Sequence, residues 1–272
     1  MADLYATIDG VNPEIQQRLA EVLEARAADS RQREMLEAYL SGIVFPKDAR
    51  VLEIGCGTGV VTRTLARWPG VGEALGVDPS AVFIAKAREL AGEISNLRFE
   101  QGDGRALPLA DQAFDVVVVH TTLCHVPDPQ GLLAEAYRVL RPQGWLAVFD
   151  GDYATATVAT GKLDPLETCI EAFRGGFVHD PWLVRRLPEL LRAGAFEVVG
   201  MRSHGYLEAG EGAYMLTWVE RGAEVLLQQG RIGAAQAEAF KAEALRRCDN
   251  QQWFGHIAFA SILARKPADQ GA

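Results

Sequence analysis

The sequence predicts an α/β protein: a mostly parallel sheet with helices on both faces. Three observations carry this expectation. Val51-Leu52-Glu53-Ile54 reads as a short buried strand, and Gly55-Cys56-Gly57-Thr58-Gly59 follows it as a glycine-rich turn leading into a helical stretch from Thr58 to Trp68. A second apolar strand, Ala74-Leu75-Gly76-Val77, ends in Asp78, nineteen residues after the last of those glycines. Strand-like runs then continue to alternate with helical ones, and repeated β-α-β units build parallel sheets covered on both sides.

In chain order, residues 12–40 are rich in Ala, Glu, Leu and Arg with apolar positions near helical spacing, and predict two helices broken near Asp29-Ser30. Strands follow near 50–55, 73–78, 97–101, 114–120 and 145–150, with helices between them. Residues 181–193 read as a helix with Pro181 in its first turn. The last two strands are expected at 196–203 and 256–264. Two stretches exceed a minimal sheet: 152–180, with a short helix over 163–173, and 206–250, with helices around 213–229 and 234–247. The 272 residues read as one domain, with helices in 1–47, a core over 48–151, insertions at 152–180 and 206–250, and the rest of the core in 181–205 and 251–265. Ligands of open α/β sheets bind beyond the carboxyl ends of the strands. The insertions, with Tyr153, Phe173, Phe177, Tyr206, Tyr214, Met215 and Trp218, are therefore placed to cover an organic molecule. Taken singly, each of these rings is more simply packing within its own insertion.

The glycine turn lets backbone approach a ligand with no Cβ in the way. The carboxylate of Asp78 suits two ribose hydroxyls, so the unit reads as nucleoside-binding. A dinucleotide fingerprint needs G-x-G-x-x-G/A, with the pyrophosphate on the helix N-terminus. Here the third glycine comes one residue early, and Val60 and Val61 follow it. Glu53 adds an anion at the mouth of the site, which opposes a pyrophosphate but suits a ligand carrying an ammonium and a sulfonium. The wording of the turn thus favours S-adenosylmethionine.

Four further blocks follow the turn: Gly76-Val77-Asp78-Pro79-Ser80, then Gln101-Gly102-Asp103, then Phe114-Asp115-Val116-Val117-Val118-Val119-His120 running on to His125-Val126-Pro127-Asp128-Pro129, and finally Arg138-Val139-Leu140-Arg141-Pro142-Gln143-Gly144-Trp145. With these blocks in this order, the chain resembles the class I S-adenosylmethionine-dependent methyltransferases, in particular the small-molecule branch that includes the ubiquinone/menaquinone-biosynthesis type. The resemblance runs from about residue 48 to 150, with a weaker echo to the C-terminus. It implies a Rossmann-like seven-stranded sheet whose last strand inserts antiparallel, and S-adenosylmethionine as cofactor. It also implies roles for individual residues. Gly55, Cys56, Gly57 and Gly59 would face the methionine moiety, with Cys56 there for its small size and Glu53 ordering the turn. Asp78, with Pro79 beside it, would hold the ribose, and Asp103 the adenine amino group, with Gly104 allowing close approach. His120 and Thr121 would line the sulfonium end, whereas Asp115 would anchor its strand.

Methyl transfer is an in-line displacement, so alignment supplies much of the catalysis, ~7–11 kcal/mol in well-oriented systems. A general base is needed only where the acceptor must lose a proton, and then adds ~100–10,000-fold. His125 is the first candidate for that base or for orienting the acceptor; Asp152 and His179 are weaker candidates. His204 and His256 read as structural. Two other readings stand beside a small organic acceptor methylated at O, N or C. One is metalloid or thiol methylation through Cys124, Cys169 and Cys248, if these converge. The other is a non-catalytic S-adenosylmethionine-binding module.

Composition narrows the partners. With 27 basic against 36 acidic residues the formal charge is −9, and no basic run interleaved with aromatics points to nucleic acid. No stretch reads as a signal peptide or a spanning helix, and four scattered cysteines without a C-x-x-C pair suggest a reducing cytoplasm. No metal site is expected, because Asp150 and Asp152 lack a third converging oxygen ligand. A monomer or a homodimer fits equally well, an amphipathic helix within 206–250 being the candidate dimer contact.

Overall fold

A computed structural model describes residues 3–268. Seven strands form one sheet: β1 (Ala49–Ile54), β2 (Val71–Asp78), β3 (Leu97–Gln101), β4 (Phe114–His120), β5 (Leu140–Thr157), β6 (Glu197–Gly210) and β7 (Trp253–Arg265). Their spatial order is β3-β2-β1-β4-β5-β7-β6. Strands β1 to β5 pair in parallel, and β7 enters antiparallel between β5 and β6. Central strands buried on both faces need unbroken apolar runs, and Val116, Val117, Val118 and Val119 of β4 are fully buried. The chain lays strands outward from β1 to β3 and then returns to place β4 on the other side of β1. That reversal opens a crevice past the carboxyl ends of β1 and β4.

Helices α1 (Pro13–Ala28) and α2 (Ser30–Leu40) precede the sheet. The Asn12 side chain caps α1 by accepting from the Glu14 N–H, and Asp29 both stops α1 and caps α2 by accepting from Arg31. Around the sheet follow α3 (Val60–Ala66), α4 (Ala81–Ala91), α5 (Pro129–Val139), α6 (Glu167–Phe177), α7 (Leu183–Ala193), α8 (Leu216–Gln228) and α9 (Ala234–Asp249). The broken N-terminal helices, all seven strands and the antiparallel closing strand agree with expectation.

Several boundaries moved. Strand β5 continues to Thr157, well past the expected 145–150, because β7 pairs with it beyond Asp152. Likewise β6 runs to Gly210 and β7 starts at Trp253. The first insertion's helix begins at Glu167 rather than 163. Asp164 accepts the N–H groups of Thr160 and Leu166 and holds that stretch as a turn, leaving Leu163 92% exposed. Helix α7 starts after Pro181, since Asp180 takes the Trp182 N–H in a local turn.

The two insertions pack on each other. Helices α6 and α8 meet where Gly222 lies against the Cys169 carbonyl, a place with no room for a Cβ. Arg247 of α9 holds Asp164 with two bonds, at 2.6 and 3.0 Å, beside the start of α6. Glu208 of β6, fully buried, accepts from the N–H groups of Tyr214 (2.7 Å) and Met215 (3.3 Å) and from Trp253 Nε1 (2.9 Å). The Tyr206 hydroxyl lies 2.8 Å from Glu208 and 2.6 Å from Asp29, joining this cluster to the corner between α1 and α2.

Candidate active site

Past the ends of β1 and β4 lies a cavity of about 290 Å³, walled by the glycine turn, the N-terminal helices, and helices α6 and α8. Every residue expected at the cofactor lines it, apart from Gly59. That glycine sets the turn instead: its φ is +79°, and a Cβ there would overlap the ring of Phe99. Gly55 (φ +76°) is equally constrained, by Thr122.

Glu53 is not an exposed anion at the mouth of the site. It is 2% exposed, Thr62 Oγ1 donates to it, and burial pushes its carboxyl up to about 8. Asp78 accepts the Gly57 N–H at 2.8 Å and the Ser80 N–H at 2.9 Å, so the acid at the end of β2 also pins the glycine turn. Burial pushes it up to about 6. Asp103 is half-exposed, and Arg105 grips both its oxygens at 2.8–3.2 Å, which lowers its pKa. His120 stacks on Phe149 and lies 3.0 Å from the Tyr39 hydroxyl; burial holds the imidazole well below its ordinary value. Thr121 closes β4 with φ +49°, a strained geometry for a β-branched residue. Its Oγ1 accepts from Arg26 Nη1 at 3.1 Å.

Two buried polar atoms in this wall have no partner among the described residues, Thr58 Oγ1 and Gln32 Nε2. Unsatisfied buried donors are costly and rare. Gln32 Nε2 adjoins the Arg26 guanidinium, whose Nη2 bonds the Gln32 oxygen at 3.4 Å. Together they form a patch of donors suited to a carboxylate. A ligand with ribose hydroxyls, an ammonium and a carboxylate fits these residues: acids at Asp78 and Glu53, donors at Arg26 and Gln32.

The opposite wall is aromatic. Phe173 stacks on Phe177 and on Trp218, which contacts Tyr153 and Tyr214; Tyr5 lies 4.8 Å from the His125 ring. Burial pushes the Tyr5 hydroxyl up to about 12, so this wall is uncharged at its phenol. His125 lines the cavity, and its Nδ1 is hydrogen-bonded to Asp3 Oδ2.

The other two catalytic candidates lie elsewhere. Asp152 does not line the cavity; its Oδ2 is held by Arg185 Nε at 2.9 Å between β5 and α7. The exposed His179 side chain also stays outside, and only its backbone N–H reaches toward the site, donating to Asp3. The three cysteines do not converge. Cys124 packs beneath Asp150, Cys169 against α8, and Cys248 beside Gly212 and Trp253; none lines the cavity, and burial pushes each thiol up. Among the described residues no group of His, Cys, Asp and Glu is arranged to hold a metal.

Sequence reasoning missed Asp3, Arg26, Gln32 and Arg221. Arg26 had a signal: it sits one turn from Val22 and Leu23 on the stripe of α1 that faces the cavity. Asp3 had none.

A parallel sheet with a glycine turn behind its first strand and an acid ending the second defines a nucleoside-binding α/β protein. Comparison with known proteins narrows this further. A family model described as "Methyltransferase domain" matches residues 52–148. A trans-aconitate 2-methyltransferase of Deinococcus radiodurans is 38% identical over 135 residues, covering 48% of this chain and 50% of that one. A probable phthiotriol/phenolphthiotriol dimycocerosates methyltransferase of Mycobacterium ulcerans is 33% identical over 186 residues, covering 62% and 67%. A solved S-adenosylmethionine-dependent methyltransferase of Aquifex aeolicus shares the fold at a TM-score of 0.54 and 16% identity, over 94% of this chain and 99% of that one. The chain spans about half the length of several curated relatives it matches. It belongs to the class I S-adenosylmethionine-dependent methyltransferases, and S-adenosylmethionine is its cofactor. No helix among the described residues is long and apolar enough to cross a membrane.

Proposed function

We propose that this protein transfers a methyl group to a small organic acceptor at oxygen, nitrogen or carbon. One observation carries the reading: a single cavity has acids and glycines on one wall, and aromatic rings with a paired histidine on the other. A relative named for trans-aconitate supports the size class of the acceptor.

S-adenosylmethionine, when bound, supplies a methyl group on a positively charged sulfur. The remaining work falls to this chain. In our assignment Asp78 accepts from the ribose, Asp103 from the adenine, and Glu53 balances the cofactor's positive charge. Arg26 and Gln32 receive its carboxylate, and Gly55, Cys56 and Gly57 let the backbone approach. His120 and Thr121 shape the wall at the end of β4. The aromatic rings exclude water and orient the acceptor, and orientation is the larger share of catalysis. His125, its ring fixed by Asp3 through Nδ1, holds Nε2 available to remove a proton where the acceptor must lose one.

The test is calorimetric titration with S-adenosylmethionine, its demethylated product and NAD, followed by an acceptor screen with labelled methyl groups. Binding of the first two without NAD, and label in a small molecule, is the expected result. Tight binding with no transfer across a wide panel would favour a binding module.

A further inference from the structure

Arg221 is a charge at the aromatic end of the cavity that the cofactor does not account for. It stands on α8, one face of which carries Trp218 and Arg221, with Tyr214 just ahead of the helix. Its guanidinium lies 5.4 Å from the centre of the Phe177 ring, and among the described residues it makes no hydrogen bond or ion pair. A ring face offers a guanidinium some electrostatic relief but no negative charge. No carboxylate among the described residues bonds it, and burial keeps the neighbouring Tyr5 hydroxyl protonated.

Arg26 also lacks a carboxylate partner among the described residues, but its place differs. Bonded to Thr121 and Gln32 and 5.5 Å from the Tyr214 ring, it stands where the cofactor end meets the aromatic lining, and in our assignment the one carboxylate of S-adenosylmethionine satisfies it. That leaves no anion for Arg221, which stands at the aromatic end between α6 and α8.

Resting on the methyltransferase reading, we propose that the acceptor carries an oxyanion, a carboxylate or a phosphate, on an apolar or aromatic body, and that Arg221 receives it. The body stacks among Phe173, Phe177 and Trp218, while the oxyanion takes the guanidinium in a charge-assisted pair. The arrangement selects against neutral analogues, because these leave the partly buried guanidinium without a partner.

The test separates binding from turnover. Protein saturated with S-adenosylhomocysteine is titrated with 3-phenylpropanoate and phenyl phosphate, each beside a neutral counterpart, 3-phenylpropanamide or benzyl alcohol, with ligand-detected NMR as readout. The anions should bind about tenfold or more tightly than their neutral partners. Arg221→Gln should erase that gap and Arg221→Lys restore part of it, with affinity for S-adenosylhomocysteine unchanged in both. Preference between the two anions identifies the oxyanion. A gap that survives Arg221→Gln, or equal binding or equal absence of binding for anions and neutrals, overturns the proposal. If the gap appears as expected but no acid is ever methylated in the labelled screen, the anion site stands and the methyltransferase reading is what fails.

Discussion

His125 Nδ1 lies 2.7 Å from Asp3 Oδ2, a pair joined across the fold from residues far apart in the chain. The same carboxylate accepts the N–H groups of Tyr5 and His179, and its side chain is almost wholly buried. A carboxylate so anchored fixes the ring of the histidine it holds. Asp3→Asn should therefore lower turnover by about tenfold or more, up to the ~100–10,000-fold that a placed general base supplies. Cofactor affinity should stay unchanged. Steady-state kinetics beside calorimetry checks this; an equal fall in both would reduce the pair to scaffolding.

Glu53 makes cofactor binding depend on pH. Its carboxyl titrates at about 8 in the fold against an ordinary 4.5, because burial penalises the charged form. The unfolded chain ionises first, so this group's contribution to stability is full below about pH 4.5 and is lost as pH rises toward 8. A cationic ligand reverses the preference and draws off the proton. Wild-type affinity for S-adenosylmethionine should rise between pH 6 and about 8 with proton release, which calorimetry in buffers of different ionisation enthalpy detects. Glu53→Gln should melt higher than wild type at pH 8, converge with it near pH 5, and bind the cofactor weakly at all pH values.

Gly222 is one of the places where the two insertions touch. A Cβ there would overlap the Cys169 carbonyl, and backbone cannot swing aside as a side chain can. Gly222→Ala should cost about 1–3 kcal/mol of stability, as overpacking does. Thermal denaturation should show a lower midpoint, and the acceptor KM should rise while cofactor affinity holds. An unshifted midpoint would show that α6 and α8 move apart at little cost.

Thr121 stores strain. A β-branched residue at φ +49° costs ~1–3 kcal/mol, and such residues gather at working sites. Thr121→Gly relieves the strain but removes the oxygen that accepts from Arg26. The variant should be at least as stable as wild type and bind S-adenosylmethionine more weakly. A clear loss of thermal stability would mean the strain is not there to release.

The sheet was legible because its strands are dense apolar runs with glycines and acids at fixed offsets, and Asp78 and the glycine turn lie where those offsets place them. What escaped was set by contacts between distant segments. Nothing local in Asp3 signals that it meets His125. The eighteen residues of β5 exceed the expected strand because β7 pairs with them, and β7 comes a hundred residues later. Asp152 looked catalytic from its place beyond a strand end, yet Arg185 turns it to the other side. Charge was the hardest to read. Glu53 in sequence is an anion, and only burial shows it as an acid that holds its proton.

Glu208 has a kinetic consequence. One buried carboxylate gathers the start of α8, the indole of β7 and, through the shared Tyr206 hydroxyl, the corner of α1 and α2. The pieces roofing the cavity are thus bolted to one point, and neither can swing out alone without breaking bonds that the other also uses. In the proposed methyltransferase, release of spent cofactor that waits on this joint movement should show as a burst of first-turnover product followed by a slower steady rate, which rapid-quench kinetics checks.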